Sequence, residues 1–93
     1  MTKETLLLAL EAERLKVGTD GIAVPEDRDA TFIIAAPGET LLVGRVVKID
    51  PRDTMLCIET SKAERYWFTY DLVLGIRVRP AQAVKEHTTG FGR

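Results

Sequence analysis

The sequence predicts a mostly β protein, a small barrel of five or six strands with one N-terminal α-helix. Three observations lead there. Most of the long apolar content lies between Thr40 and Pro80, in pieces separated by short polar turns. The last piece sets Leu72, Leu74, Ile76 and Val78 against Val73, Gly75, Arg77 and Arg79, the two-residue period of a strand. Residues 2–17 instead carry Leu, Ala, Glu, Lys and Arg at helical spacing.

The chain has 93 residues, which bounds it to one domain with one apolar core. Its organisation reads as a helix-plus-barrel domain over 1–80 and a flexible tail over 81–93, where the apolar period ends. An apolar fraction of 45% with 29% charged residues is ordinary for a globular protein. A net charge of −1 gives no global attraction to nucleic acid. The charge is unevenly spread: residues 1–29 hold seven acids and four bases, and residues 61–93 hold three and six. The single Cys57 can form no internal disulfide and sits in an apolar run, as a small core hydrophobe in a reducing compartment would. Neither a signal-peptide pattern nor a membrane-spanning run is present, so a cytoplasmic protein is expected.

The helix is expected to start at Thr2, whose hydroxyl suits an N-cap, and to stop at a left-handed Gly18. Leu8, Ala12 and Leu15 form its core stripe, with Leu7 beside it and Leu6 and Leu10 widening it. Glu11–Arg14 and Glu13–Lys16 are spaced to pair on the wet side. A loop follows, with Ile22-Ala23-Val24 as a brief edge strand ended by Pro25.

The β region begins near Thr31. Phe32-Ile33-Ile34 is strand-like by composition. Ala36-Pro37-Gly38-Glu39 fits a type II turn, with Pro presetting φ and Gly supplying φ > 0. Leu41–Ile49 reads as one long strand bent at Gly44, able to serve both halves of a barrel. Asp50-Pro51-Arg52-Asp53 is the next turn, and Met55–Glu59 a strand with Leu56 and Ile58 inward. After a turn over 61–64, Arg65–Tyr70 places Tyr66, Phe68 and Tyr70 on a packed face and Arg65, Trp67 and Thr69 on the other. The alternating strand then closes the barrel and ends at Pro80.

No catalytic constellation stands out, and a non-enzymatic protein is expected. The one histidine, His87, lies in the tail; Asp50 and Asp53 are spaced for turn chemistry. No cofactor motif and no metal-ligand set is present. The cluster with chemical potential is Arg65, Trp67, Arg77 and Arg79. Arg65 and Trp67 share a strand face, and flat indole and guanidinium groups stack on unpaired bases. Pairing of the last two strands would bring Arg77 and Arg79 beside them. The alternative is that Trp67 packs beneath the helix or in a subunit contact, with the arginines as a solvated face. Protein contact needs less: exposed strand edges are templates for another chain. The broad leucine stripe of the helix and the two-faced apolar strand Leu41–Ile49 both suit it.

Leu42, Gly44, Val46 and Asp50 have the spacing of the first Sm motif, and Tyr70-Asp71-Leu72-Val73-Leu74-Gly75-Ile76 is similar to the second. In these residues, and in the order of a helix and then strands, the chain resembles the Sm-like superfamily of Hfq and LSm type over about half its length. The resemblance implies an SH3-like or Sm-like barrel, a homo-oligomer and RNA binding. The RNA-contacting Asn of that family is replaced, with Thr54 nearby. Thr69 and Tyr70 stand where Hfq has Lys-His, and the Arg-Gly pair of the other type is absent. The resemblance therefore bears on the fold more than on RNA. The functional expectation is a binding or adaptor module acting through protein partners or self-association, with Sm-like RNA binding as the alternative.

Overall fold

The computed structural model describes residues 1–18 and 21–81. The tail expected over 81–93 falls, apart from Ala81, outside the described residues, and His87 with it. Helix α1 spans Lys3–Ala12 and is followed by β1 (Val17–Gly18), β2 (Gly21–Ala23), β3 (Arg28–Ala36) and β4 (Glu39–Val43). Then come β5 (Val46–Pro51), β6 (Met55–Thr60), β7 (Arg65–Thr69), a 3₁₀ turn at Tyr70–Leu72 and β8 (Val73–Pro80). The mostly β class with a leading helix is as expected. The closed barrel is not formed. The strands make two antiparallel sheets, one in the order β1-β2-β5-β6-β7 and one in the order β4-β3-β8. Among the described residues seven strands have three residues or more, not five or six, because the long strand expected over Leu41–Ile49 is two strands in different sheets.

The break falls at Gly44-Arg45. Arg45, at φ 54°, takes the left-handed backbone, and its carbonyl accepts from the Ser61 N–H at 2.9 Å. A bend near Gly44 that lets the chain serve both halves of the fold is legible in the sequence; that the strand breaks there into two is not.

Thr2 caps α1 as expected, accepting from the Thr5 N–H at 3.1 Å. Gly18 does not stop the helix. Arg14 does, at φ 63°, with its N–H on the Glu11 carbonyl and the Leu15 N–H on the Leu10 carbonyl, both at 2.9 Å. This is a Schellman closure, and the two leucines it brings together, Leu10 and Leu15, are both buried. The helix packs on Leu6 and Leu10. Leu8, expected in the core stripe, is 66% exposed, and Ala12 is exposed as well. Glu13 pairs with Arg28 at 2.8 Å rather than with Lys16, and no Glu11–Arg14 bridge forms among the described residues.

The core lies between the sheets and under α1. Phe32 and Ile34 of β3, Ile49 of β5, Leu56 and Ile58 of β6, and Leu6 and Leu10 of the helix are almost wholly buried. Each such side chain contributes about 1.5–3 kcal/mol by leaving water. Leu56 and Ile58 point inward as their alternation predicted. The turn Ala36–Glu39 also forms, with Gly38 at φ 75°. The next hairpin is displaced: Pro51 still belongs to β5, and the Arg52 N–H bonds the Met55 carbonyl, so Asp53-Thr54 make the turn. β2 pairs on both sides, with β1 and β5, so it is not the edge expected, and its Ile22 faces the core and is buried.

The closing strand departs from its alternation for a clear reason. Ile34 faces Val73 while Ile33 faces Gly75, so Leu74 is an extra, bulged residue. The bulge shifts the phase by one. Val73 is buried, Ile76 and Val78 are half-buried against the core, and Leu74 and Leu72 turn outward, 56% and 39% exposed.

Candidate functional site

The outer face of the five-stranded sheet is built by alternation. In β7, Arg65, Trp67 and Thr69 share one face, as expected, and that face is the outer one, while Phe68 packs against the core. Of the three aromatics expected on a packed face, Tyr70 is buried in the 3₁₀ turn, but Tyr66 is exposed and only stacks flat on Phe68, with ring centres 6.1 Å apart. Register then fixes the neighbours. Arg65 stands opposite Glu59, which stands opposite Lys48. Trp67 stands opposite Cys57, which stands opposite Asp50. Arg52, just past β5, bonds Asp50 at 2.9 Å and lays its guanidinium 5.6 Å from the Trp67 ring centre. These residues line a shallow cavity of about 130 Å³.

Trp67 is therefore neither under the helix nor in the core; it is 49% exposed. Cys57 is buried, as expected of a small hydrophobe in an apolar run, but it lies on the outer face of the sheet and outside the main core cluster. Burial pushes its thiol pKa up, with Asp50 adding to the rise against Arg65 and Arg52. A thiol so held stays protonated and is a poor nucleophile.

Arg77 and Arg79 do not join this cluster. β8 pairs with β3, and among the described strands β7 pairs only with β6; the 3₁₀ turn between them carries the chain to the other sheet. Arg77 reaches Thr31 and Arg79 reaches Asp29, each its register partner, both at 3.4 Å. The four residues grouped by sequence are thus two pairs on two sheets. Among the described residues no group of three or more His, Cys, Asp or Glu side chains is placed to hold a metal ion. Nor is any helix among them long and apolar enough to cross a membrane.

A second surface lies on the three-stranded sheet. β4 is an edge strand whose residues Glu39 to Leu42 are all exposed, Leu41 by 42% and Leu42 by 62%. Beside its C-terminal end a groove of about 500 Å³ runs between Leu42 and Val43, the hinge at Gly44-Arg45, the turn after β6, and Tyr66. The groove opens where the two sheets fail to close on each other. The run Leu41-Leu42-Val43, apolar on both faces, was the sequence signal for it; the edge position was not readable. Comparison with known proteins gives no match to any family model, curated protein or solved structure.

Proposed function

We propose that this chain is a non-enzymatic binding module that acts through protein contacts and self-associates, with the β4 edge as its contact surface. The observation behind it is an exposed apolar edge, Glu39–Val43, whose outer side meets no other described strand. Unpaired strand edges bind extended segments of other chains through backbone hydrogen bonds, and side-chain alternation supplies selectivity. The buried, protonated Cys57 supports a non-catalytic reading. The test is affinity capture from the native cell extract with the wild-type chain and with Leu42→Pro. Partners retained by the first and lost by the folded second are the expected result. Capture that is identical for both, or absent for both, counts against the reading.

A second reading, RNA binding as the Sm-like resemblance implies, is favoured by one observation. Trp67 is half exposed with Arg52 over its ring and Arg65 and Lys48 around the same cavity. It would rest on Arg65 and Trp67, with Arg77 and Arg79 serving a separate face. Salt-dependent retention of RNA, lost in Trp67→Ala, would support it. Clean protein at low salt would dismiss it.

A further inference from the structure

We propose that β4 pairs with β4 of a second copy of this chain, antiparallel, about a two-fold axis through Leu41. The proposal rests on the reading of β4 as the contact surface and names its occupant.

The described strands leave four edges, and three are guarded. β1 has two residues. β8 has the bulge at Leu74, then Arg77, Arg79 and Pro80. β7 begins at Arg65, and its outward Trp67 is held by Arg52. Charges, proline, bulges and shortness are the devices that keep edges from pairing. Between Thr40 and Val43, β4 has none of them.

Backbone parity follows from the hairpin. β3 and β4 meet through the two-residue turn Pro37-Gly38, so Ala36 and Glu39 are a hydrogen-bonded pair. Bonded and non-bonded pairs alternate in an antiparallel ladder. Leu41 and Val43 therefore spend their backbone groups on Ile34 and Phe32. Thr40 and Leu42 turn theirs outward, away from β3.

Only one symmetric register uses both outward residues and the whole strand. Centred on Leu41, it sets Thr40 against the second copy's Leu42, each pair exchanging both backbone bonds. Glu39 falls opposite Val43, so no like charges meet. A centre at Thr40 runs Leu42 onto Gly38 in the turn, and a centre at Leu42 runs Thr40 onto Gly44 at the hinge.

Side chains agree with the backbone. Val73, Ile34 and Leu41 form one inward row, buried at the first two positions and 42% exposed at the third. A second Leu41 opposite the first extends that row across the axis. A five-residue strand buries less than the roughly 1,200 Å² of a stable complex, so the dimer is reversible and concentration-dependent.

Sedimentation velocity on the purified full chain, from micromolar to millimolar concentration, is expected to move toward twice the 10.3 kDa monomer mass. Leu42→Pro removes an outward N–H, so it should keep the circular dichroism spectrum and lose the dimer. Leu41→Cys gives an independent reading if the proline variant fails to fold. The axis sets Leu41 beside itself in a non-bonded pair with Cα atoms about 4.5 Å apart, within disulfide range. Mild oxidation should cross-link Leu41→Cys quickly and Glu39→Cys slowly. A strict monomer at every concentration overturns the proposal, and so does equal cross-linking of the two cysteine variants. A dimer that a folded Leu42→Pro leaves intact does the same. A monomer whose extract partners are lost in Leu42→Pro overturns self-pairing alone and leaves the broader reading of the edge standing.

Discussion

Cys57 of β6 stands directly opposite Trp67 of β7, the thiol residue only 6% exposed and the indole residue 49% exposed on the same sheet face. The single cysteine is thus sheltered on the outside of a sheet, where the indole and the Arg52 that stacks on it help form the cover. The outer face thereby sets a small, buried polarizable group beside its largest side chain.

Removing the indole should uncover the thiol with little harm to the fold. Trp67→Ala deletes a half-exposed edge residue, so the thermal midpoint should fall by only a few degrees, as for surface changes. The rate of Cys57 labelling by a disulfide reagent at neutral pH should rise well above the slow wild-type rate. Unchanged labelling would mean that the strands, rather than the indole, shield the sulfur.

Arg14 closes α1 in a conformation that glycine adopts freely and other residues do not. Its side chain is exposed and forms no salt bridge among the described residues. Arg14→Gly should therefore stabilise the protein by about 1 kcal/mol, read as a higher urea midpoint with an unchanged slope. Destabilisation would show that the guanidinium contributes more than the backbone strain removes.

Two glycines should respond very differently to alanine. A Cβ on Gly21, at φ 101°, would sit 2.8 Å from the Ile49 carbonyl oxygen, a backbone atom held in the ladder. Gly21→Ala should cost about 2–4 kcal/mol. At Gly44 the nearest atom is the Thr31 hydroxyl oxygen at 3.5 Å, ordinary contact. Gly44→Ala should change stability by less than about 1 kcal/mol. Chemical denaturation of both variants separates the hinge, where Arg45 takes the unusual backbone, from the strand, where Gly21 is indispensable.

The Tyr70 hydroxyl donates to the Arg52 carbonyl and ties the 3₁₀ turn to the β5–β6 hairpin. Burial, with Asp50 and Asp53 adding, raises the Tyr70 pKa above its ordinary value. An acid whose folded pKa is raised gives up its proton first in the unfolded chain. Its contribution is fully present below the ordinary tyrosine pKa of about 10 and is lost as pH rises through the folded value. Stability should fall above that pH, and Tyr70→Phe should flatten the fall. At neutral pH the same variant should cost about 0.5–1.5 kcal/mol for the lost hydrogen bond. An unchanged alkaline slope in Tyr70→Phe would assign the fall to other groups, Cys57 and Tyr66 among them, whose pKa values are also raised.

Local chemistry determined much of this protein from the sequence alone. The Thr2 cap, the Pro37-Gly38 turn, the inward pair Leu56 and Ile58, and the strand face shared by Arg65 and Trp67 each depend on neighbours a few residues away. A cap, a turn or an uninterrupted strand leaves few local alternatives. Tertiary structure decided what depends on distant partners. The face of α1 that is buried follows from the core cluster of both sheets on which Leu6 and Leu10 pack. The phase of β8 follows from a bulge that exists only in its pairing with β3. The separation of Arg65 and Trp67 from Arg77 and Arg79 follows from β7 and β8 entering different sheets, and the exposure of β4 from the failure of those sheets to close. Alternation fixes which side chains share a face within a strand; it says nothing about which strand lies alongside, because that choice is made by contacts tens of residues apart.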